Sequence, residues 1–358
     1  MLDMAWRSDP GHIFLKAMIM YLPAITIGYA VPHGSFDATV HSVFQSAINL
    51  RSSRGSELLT LVTSSEADLP QGIRVDTPKD FSFEILHAGE QMTCRDGNLR
   101  LDSLTVELRG ARRWKCDLPT LQADPAKATV SAAWGFVWNA LNERQKFSNA
   151  EIVAEDSLLH TCRCERTLRS NPLFSSDVSA KSREEIASSG RTPSSQRHNP
   201  TARTSVSRKA GEAMRDLLNV TRRYDSTDTS AVNSLIGLGS GLTPSGDDLL
   251  VGYMAGLWCA VRDKSERVQF VSDLGDAIIR HSKQTNDISR IYLYHASLGQ
   301  VSSLLANLAE AICMGVGLDR LLAVAENAMR IGHTSGMEAV TGLLIGLTAW
   351  DGNHLLSN

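Results

Sequence analysis

Between Gly237 and Gly252 the chain reads GLGSGLTPSGDDLLVG. Glycines let a backbone take φ > 0 and come close to a ligand. The run Gly237-Leu238-Gly239-Ser240-Gly241 could cradle phosphate or carboxylate oxygens with its N–H groups. Thr243 or Ser245 can cap the helix that follows, and Pro244 suits a first helical turn. Asp247 and Asp248 supply hard oxygen ligands or a proton acceptor. Two carboxylates beside an anion would repel it. A divalent cation such as Mg2+ would resolve that conflict, and so would one aspartate turned away as a cap. No Gly-Lys-Ser/Thr follows, so the loop is not a Walker A motif, and no dinucleotide fingerprint is evident. The chain also lacks a Gly-x-Ser-x-Gly elbow and an HExxH motif.

The motif has an echo. PSGDDLLVGYMAGL (244–257) and TSGMEAVTGLLIGL (334–347) share the pattern Ser-Gly-x-acid-x-x-x-Gly-x-x-x-Gly-Leu at a constant offset of 90 residues. Ser245 with Asp248, and Ser335 with Glu338, have the spacing of a capping box. Glycines four apart share one helix face and permit close contact. Each costs about 1 kcal/mol in a helix relative to alanine, so two per helix imply a packing reason. The expectation is that the two helices cross at their glycines and that their N-termini frame one site. Capping and packing alone would explain the second copy, except that His333 precedes it. They explain the first copy less well, because its Gly239, Gly241, Thr243 and Asp247 have no counterpart in the echo.

The segment TNDISRIYL adds Thr285, Asn286, Asp287, Ser289 and Arg290 at the start of a helix. Arg290 could pair with a substrate carboxylate or phosphate. Equally, Thr285 or Asn286 caps the helix and Arg290 lies on the surface. The residues assigned to chemistry are Asp247, Asp248 and His333. Those assigned to substrate are Gly239, Gly241, Thr243, Ser245, Gly246, Arg290, Ser335 and Gly336. No metal ligand is assigned and no cofactor is demanded; Mg2+ stays open.

These residues need a frame. The chain has 358 residues, 42% hydrophobic and 21% charged, enough for two domains with cores. A net charge of −3 gives no reason to expect nucleic-acid binding. The uncharged stretch Ala17 to Phe36 holds Pro23 and Pro32 and reads as a strand, not a membrane span. Asp3, Arg7, Asp9 and His12 argue against a secretory signal. Six scattered cysteines predict reduced thiols and a cytoplasmic protein. Cys162 and Cys164 are the closest pair, without partners to complete a zinc site.

The fold class expected is α+β, a mostly β domain followed by a mostly helical one. Residues 1–21 form an extension. Residues 22–150 carry short apolar runs (AITIGYAV, LLTLV, FSFEIL, LTVELRG) and a hairpin signal at Asp96-Gly97-Asn98. VHSVFQSAINL fits a helix or a strand pair. The domain ends in a helix whose stripe of Val130, Ala133, Trp134, Val137, Trp138 and Leu141 predicts a buried face rather than a cofactor platform. Residues 151–207 are Ser-rich and basic, a flexible linker or insertion that could touch an acidic partner. Residues 208–358 read as helices with short connections.

GLGSGLTPSGDDLLVG, TNDISRIYL and GHTSGMEAVTGLL together resemble the bacterial AllH family, long catalogued as a domain of unknown function. The resemblance runs from IGYAVPHGSF to the C-terminus. It implies a subunit of a carbamoyltransferase in anaerobic allantoin (purine) breakdown. That enzyme converts oxalurate and phosphate to oxamate and carbamoyl phosphate. It also implies two partner subunits, one similar to an acyl-CoA synthetase of the FdrA type; charge and hydropathy lead one to expect no nucleic-acid or membrane partner. Glu338 departs from the family pattern, which leads one to expect Asp there. All four metabolites are small anions, which suits a glycine-lined site. The open alternatives are a non-catalytic anion-binding or scaffold subunit and a metal-dependent hydrolase.

Overall fold

A computed structural model describes residues 19–53, 58–147, 200–332 and 334–351. They divide into two compact units, one holding residues up to 66 and 71–114, the other 67–70 and the chain from 115.

The first unit is a closed sheet. Its strands are β1 (Met20–Gly28), β2 (Phe36–Val43), β3 (Ala47–Ser52), β4 (Leu58–Val62), β5 (Gly72–Val75), β6 (Gln91–Arg95), β7 (Asn98–Arg100), β8 (Leu104–Glu107) and β9 (Arg112–Trp114). The order is β5-β4-β3-β2-β6-β7-β8-β1-β9, and β1 also pairs antiparallel with β5, which closes a barrel. The first half of β1 runs parallel to β8 and its last residues run parallel to β9. Alternation sets the inward face: Phe36, Ala38 and Val40 of β2, with Met92 and Cys94 of β6, enter the core. Asp96 and Gly97 take φ of 52° and 74°, the backbone a tight hairpin turn requires.

VHSVFQSAINL resolves as a strand pair. β2 and β3 each gain a second neighbour, β6 and β4, and that pairing decides against a helix. FSFEIL is not a strand. Ser82 accepts from the Glu84 N–H and opens a 3-10 turn at Phe83–Ile85, which buries the Phe83 ring.

The second unit is helical: α1 (Ala128–Phe147), α2 (Pro200–Arg223), α3 (Ser230–Leu235), α4 (Ser245–Ala260), α5 (Ser265–His281), α6 (Asp287–Ser297), α7 (Ser303–Met314), α8 (Leu318–Met329) and α9 (Ser335–Leu347). The six residues of the α1 stripe are buried, and Trp134 stacks on Trp138. Trp134 Nε1 donates to the Leu344 carbonyl at 2.9 Å, so α1 packs in the helical unit instead of ending the sheet domain. α2 starts at Pro200, inside the stretch expected to be linker. The rest of that stretch, with Cys162 and Cys164, lies outside the described residues. Among the described residues Cys94, Cys116, Cys259 and Cys313 are free thiols, and no helix is long and apolar enough to cross a membrane.

The centre of this unit is the crossing of α4 with α9. A Cβ on Gly252 would lie 1.8 Å from the Ala339 carbonyl oxygen, and one on Gly342 would lie 2.1 Å from that of Leu249. Gly256 and Gly346 meet Leu343 and Tyr253 in the same way. The two helices therefore touch backbone to backbone, which no residue with a side chain permits. Tyr253, fully buried beside this contact, hydrogen-bonds Thr221 of α2 at 2.6 Å.

Candidate functional site

The crossing brings the starts of α4 and α9 together. Thr243, just before α4, and Ser335, the first residue of α9, share a hydrogen bond of 2.7 Å between their hydroxyls. α6 joins them: Asn286 Nδ2 donates to the Leu242 carbonyl, and Thr285 Oγ1 donates to Asp247 Oδ2 at 2.5 Å. Three helix starts thus surround the loop from Gly237 to Thr243.

The capping boxes do not form. Pro244 is the N-cap of α4 and Thr334 that of α9, and neither helix has a side-chain cap hydrogen bond. Ser245 and Ser335 are already helical, one position too far along to cap. Most first-turn N–H groups are met by backbone instead. Gly246 donates to Leu238, Asp247 and Asp248 to Pro244, Gly336 to Ile331, and Glu338 to Thr334. Asn286 caps α6, accepting from Ile288 and Ser289. The capping alternative for that segment therefore holds at Asn286.

The unmet donors lie in the loop. Gly237 gives its N–H to Asp247 Oδ1 at 2.8 Å, and Leu238 gives its own to Leu235. Among the described residues no hydrogen bond engages the N–H groups of Gly239, Ser240, Gly241, Leu242, Thr243 or Ser245. Gly239 and Gly241 have φ of 117° and 121°, which side-chain-bearing residues rarely adopt. A Cβ on Gly239 would also fall 2.8 Å from the Ser245 nitrogen. The glycines thus let the loop lie flat on the start of α4.

The two aspartates differ. Asp247 is 1% exposed, and both of its oxygens are occupied, by Gly237 and Thr285. Burial raises its pKa, against hydrogen bonds from Thr285 and Gly237 and the nearby Ser289 hydroxyl, which favour the charged form. Ser289 itself is 1% exposed and makes no hydrogen bond of acceptable geometry through Oγ. Asp247 is a clamp that ties the loop to α6. Asp248 is half-buried, and its buried Oδ2 has no hydrogen-bond partner. Burial pushes its pKa up to about 8; the Ser335 hydroxyl opposes this, the Glu338 charge adds to it, the Thr243 hydroxyl opposes it and Asp247 adds to it. Burial thus favours the protonated form of Asp248, which would not repel an anion at the loop.

The match to known families can now be placed on this geometry. Residues 235–347 match the family described as oxamate carbamoyltransferase subunit AllH, and residues 23–113 match the AllH family N-terminal domain. The chain belongs to the AllH family. No curated protein and no solved structure matches it. The AllH N-terminal match coincides with the barrel, and the other match holds the loop, α4, α6 and α9.

Within this AllH segment, Gly239, Gly241, Thr243, Ser245, Asp248 and Ser335 come together with Asp247 beneath them. Gly246 and Gly336 have a packing role. A Cβ on either would strike the backbone of the preceding segment, 2.0 Å from the Leu235 oxygen or 2.3 Å from that of Ala328. Arg290 is partly exposed and ion-paired with Asp287 one turn back; none of its hydrogen bonds reaches the loop. His333 lies outside the described residues. Among the described residues no group of three or more His, Cys, Asp or Glu is placed to hold a metal. Three further side chains lie against these residues: Thr285 and Ser289 beside Asp247, and Glu338, only 4% exposed, beside Asp248. The 90-residue offset points to Glu338, as the counterpart of Asp248. Nothing in the sequence singles out Ser289 beyond its helical spacing from Thr285.

Proposed function

We propose that the chain is a carbamoyltransferase subunit of the oxamate type, acting in a cytoplasmic complex on oxalurate and phosphate. The loop 239–243 holds a small anionic substrate. The observation that carries this reading is the run of N–H groups from Gly239 to Thr243, with Ser245, that no hydrogen bond among the described residues engages, next to three helix starts. Backbone N–H donors held in place by glycine geometry and by helix packing stabilise negative charge without reorganising. The Thr243 and Ser335 hydroxyls add donors of adjustable direction. The family match supports a carbamoyltransferase subunit that works with partner subunits; a partner of FdrA type is part of this proposal.

The chain purified alone should bind inorganic phosphate or carbamoyl phosphate in equilibrium dialysis. Gly241→Val should weaken that binding while the fold persists. Co-purified with its proposed partner subunits, the chain should support phosphorolysis of oxalurate to carbamoyl phosphate. Wild-type protein that binds neither anion and supports no phosphorolysis would defeat the reading.

The occupied carboxylate of Asp247 favours one second reading, a scaffold subunit in which the loop is a structural joint. In that case Asp247→Ala would impair assembly of the complex and leave turnover per assembled complex unchanged.

A further inference from the structure

Asp248 and Glu338 are equivalent residues of the two copies. Asp248 sits one turn before Gly252, and Glu338 directly precedes Ala339, whose carbonyl Gly252 touches. The backbone crossing thus sets the two acids side by side at the start of both helices. Glu338 is buried and accepts a hydrogen bond from Thr334 at 3.4 Å. Asp248 borders the Thr243–Ser335 pair. Those two hydroxyls own two hydrogens and spend one on each other, which leaves one for Asp248 at most. Its Oδ2 is buried with no partner, and the equally buried Ser289 hydroxyl beside Asp247 is unmet as well. A buried carboxyl oxygen without a partner, beside the hydroxyl pair that joins the two helix starts, is what a site awaiting a ligand leaves behind.

We propose that Asp248 is the proton donor to the leaving nitrogen and that Glu338 takes the proton released by the attacking phosphate. This rests on the oxalurate phosphorolysis reading above. A phosphate oxygen forms a bond to the carbamoyl carbon, and the bond from that carbon to the oxalurate nitrogen breaks. The departing nitrogen keeps the electron pair and gains a proton from Asp248, giving oxamate. Hydrogen phosphate loses its proton to Glu338 as it becomes carbamoyl phosphate. Passage of that proton from Glu338 to Asp248 resets the pair, so protons and charge balance over one turnover. Amide nitrogen is a poor leaving group unless protonated, so general acid catalysis is where such a site gains rate. Among the described residues the titratable groups facing Asp248 are Asp247 on its own helix and Glu338 on α9, and both favour the protonated acid.

The test uses the assembled complex with Asp248→Asn and Glu338→Gln. On oxalurate, Asp248→Asn should lower kcat by about 100-fold or more, the usual share of a general acid. The phosphate affinity of the same variant should be unchanged. On 4-nitrophenyl carbamate, whose phenolate leaves without a proton, the variant should keep most of its rate. The wild-type kcat should fall as pH rises past about 8, and that limb should vanish in Asp248→Asn. In Glu338→Gln the limb should move to lower pH, because a charge that holds the proton on Asp248 is gone. Full oxalurate turnover by Asp248→Asn, or equal loss on both substrates, would overturn the proposal while leaving anion binding standing. A wild-type complex that binds phosphate but never cleaves oxalurate would instead overturn the reaction assignment and this proposal with it.

Discussion

The two copies of the glycine motif share a frame and differ in what they place above it. In both, a short segment turns into a helix whose second residue is glycine packed on the backbone behind it, Gly246 on Leu235 and Gly336 on Ala328. In both, two glycines one turn apart press on the partner helix. The second copy makes its turn in a few residues, from Arg330 to Thr334. The first spreads it over Ile236 to Pro244, adding two glycines at φ near 120° and a buried aspartate to hold them. The repeat forms a helix crossing, and the first copy adds to it the loop proposed to hold the anion. Stability and function should therefore separate along that line.

The largest effect should come from the shared frame. Gly252→Leu or Gly342→Leu drives a side chain into backbone atoms, where overpacking costs about 1–3 kcal/mol and often more. Thermal melts should show severe loss of stability in both. Equal tolerance of leucine at Gly252 and Gly317, the N-cap of α8 with nothing within 4 Å of an added Cβ, would break the comparison.

Next comes the clamp. Asp247→Ala strands the Gly237 N–H and the Thr285 hydroxyl, and a buried unmet group costs about 1–3 kcal/mol. Urea unfolding should show that loss, and phosphate binding should weaken because the loop is no longer tied down. Met337, which stands where Asp247 does in the other copy, should show no such link to binding when replaced by leucine.

The Asp248 proton gives an effect set by pH. Its pKa is raised in the fold, to about 8, from an unfolded value near 3.9. The folded state then binds more protons between those values, so its stability is complete below the unfolded pKa and declines as pH rises through the folded one. Asp248→Asn should flatten the fall in melting temperature between about pH 4 and pH 8. An unchanged slope would mean that Asp248 is ionised at neutral pH.

The smallest effect belongs to Arg290. Its pair with Asp287 is partly exposed and worth about 0–1 kcal/mol, so Arg290→Ala should leave the melting temperature almost unmoved. Loss of phosphate binding in that variant would show that the guanidinium swings to the loop when an anion is present.

Much of this was legible in the chain. Short apolar runs between turn residues predicted a mostly β domain, and the Asp96-Gly97 pair placed its hairpin. The 90-residue echo and its glycine spacing predicted a crossing, because only glycine lets two helix backbones touch. Local pattern failed where a partner decided the outcome. VHSVFQSAINL became strands because β6 and β4 lie on either side of it. The α1 stripe found its groove against Leu344 in the helical unit, although it follows the sheet in the chain. Ser245 and Ser335 have capping-box spacing, yet the helices begin at them rather than after them.

The aspartates mark the same boundary most sharply. By itself the sequence determined that two adjacent carboxylates sit at a helix start behind a glycine loop, since spacing and residue type alone set that. It could not say which one is clamped and which one keeps a proton. That depends on Gly237 and Thr285 arriving at Asp247, and on Glu338 and the Thr243–Ser335 pair arriving at Asp248 from helices remote in sequence. A carboxyl's charge is set by the groups around it in space, and only the tertiary structure brings those groups together.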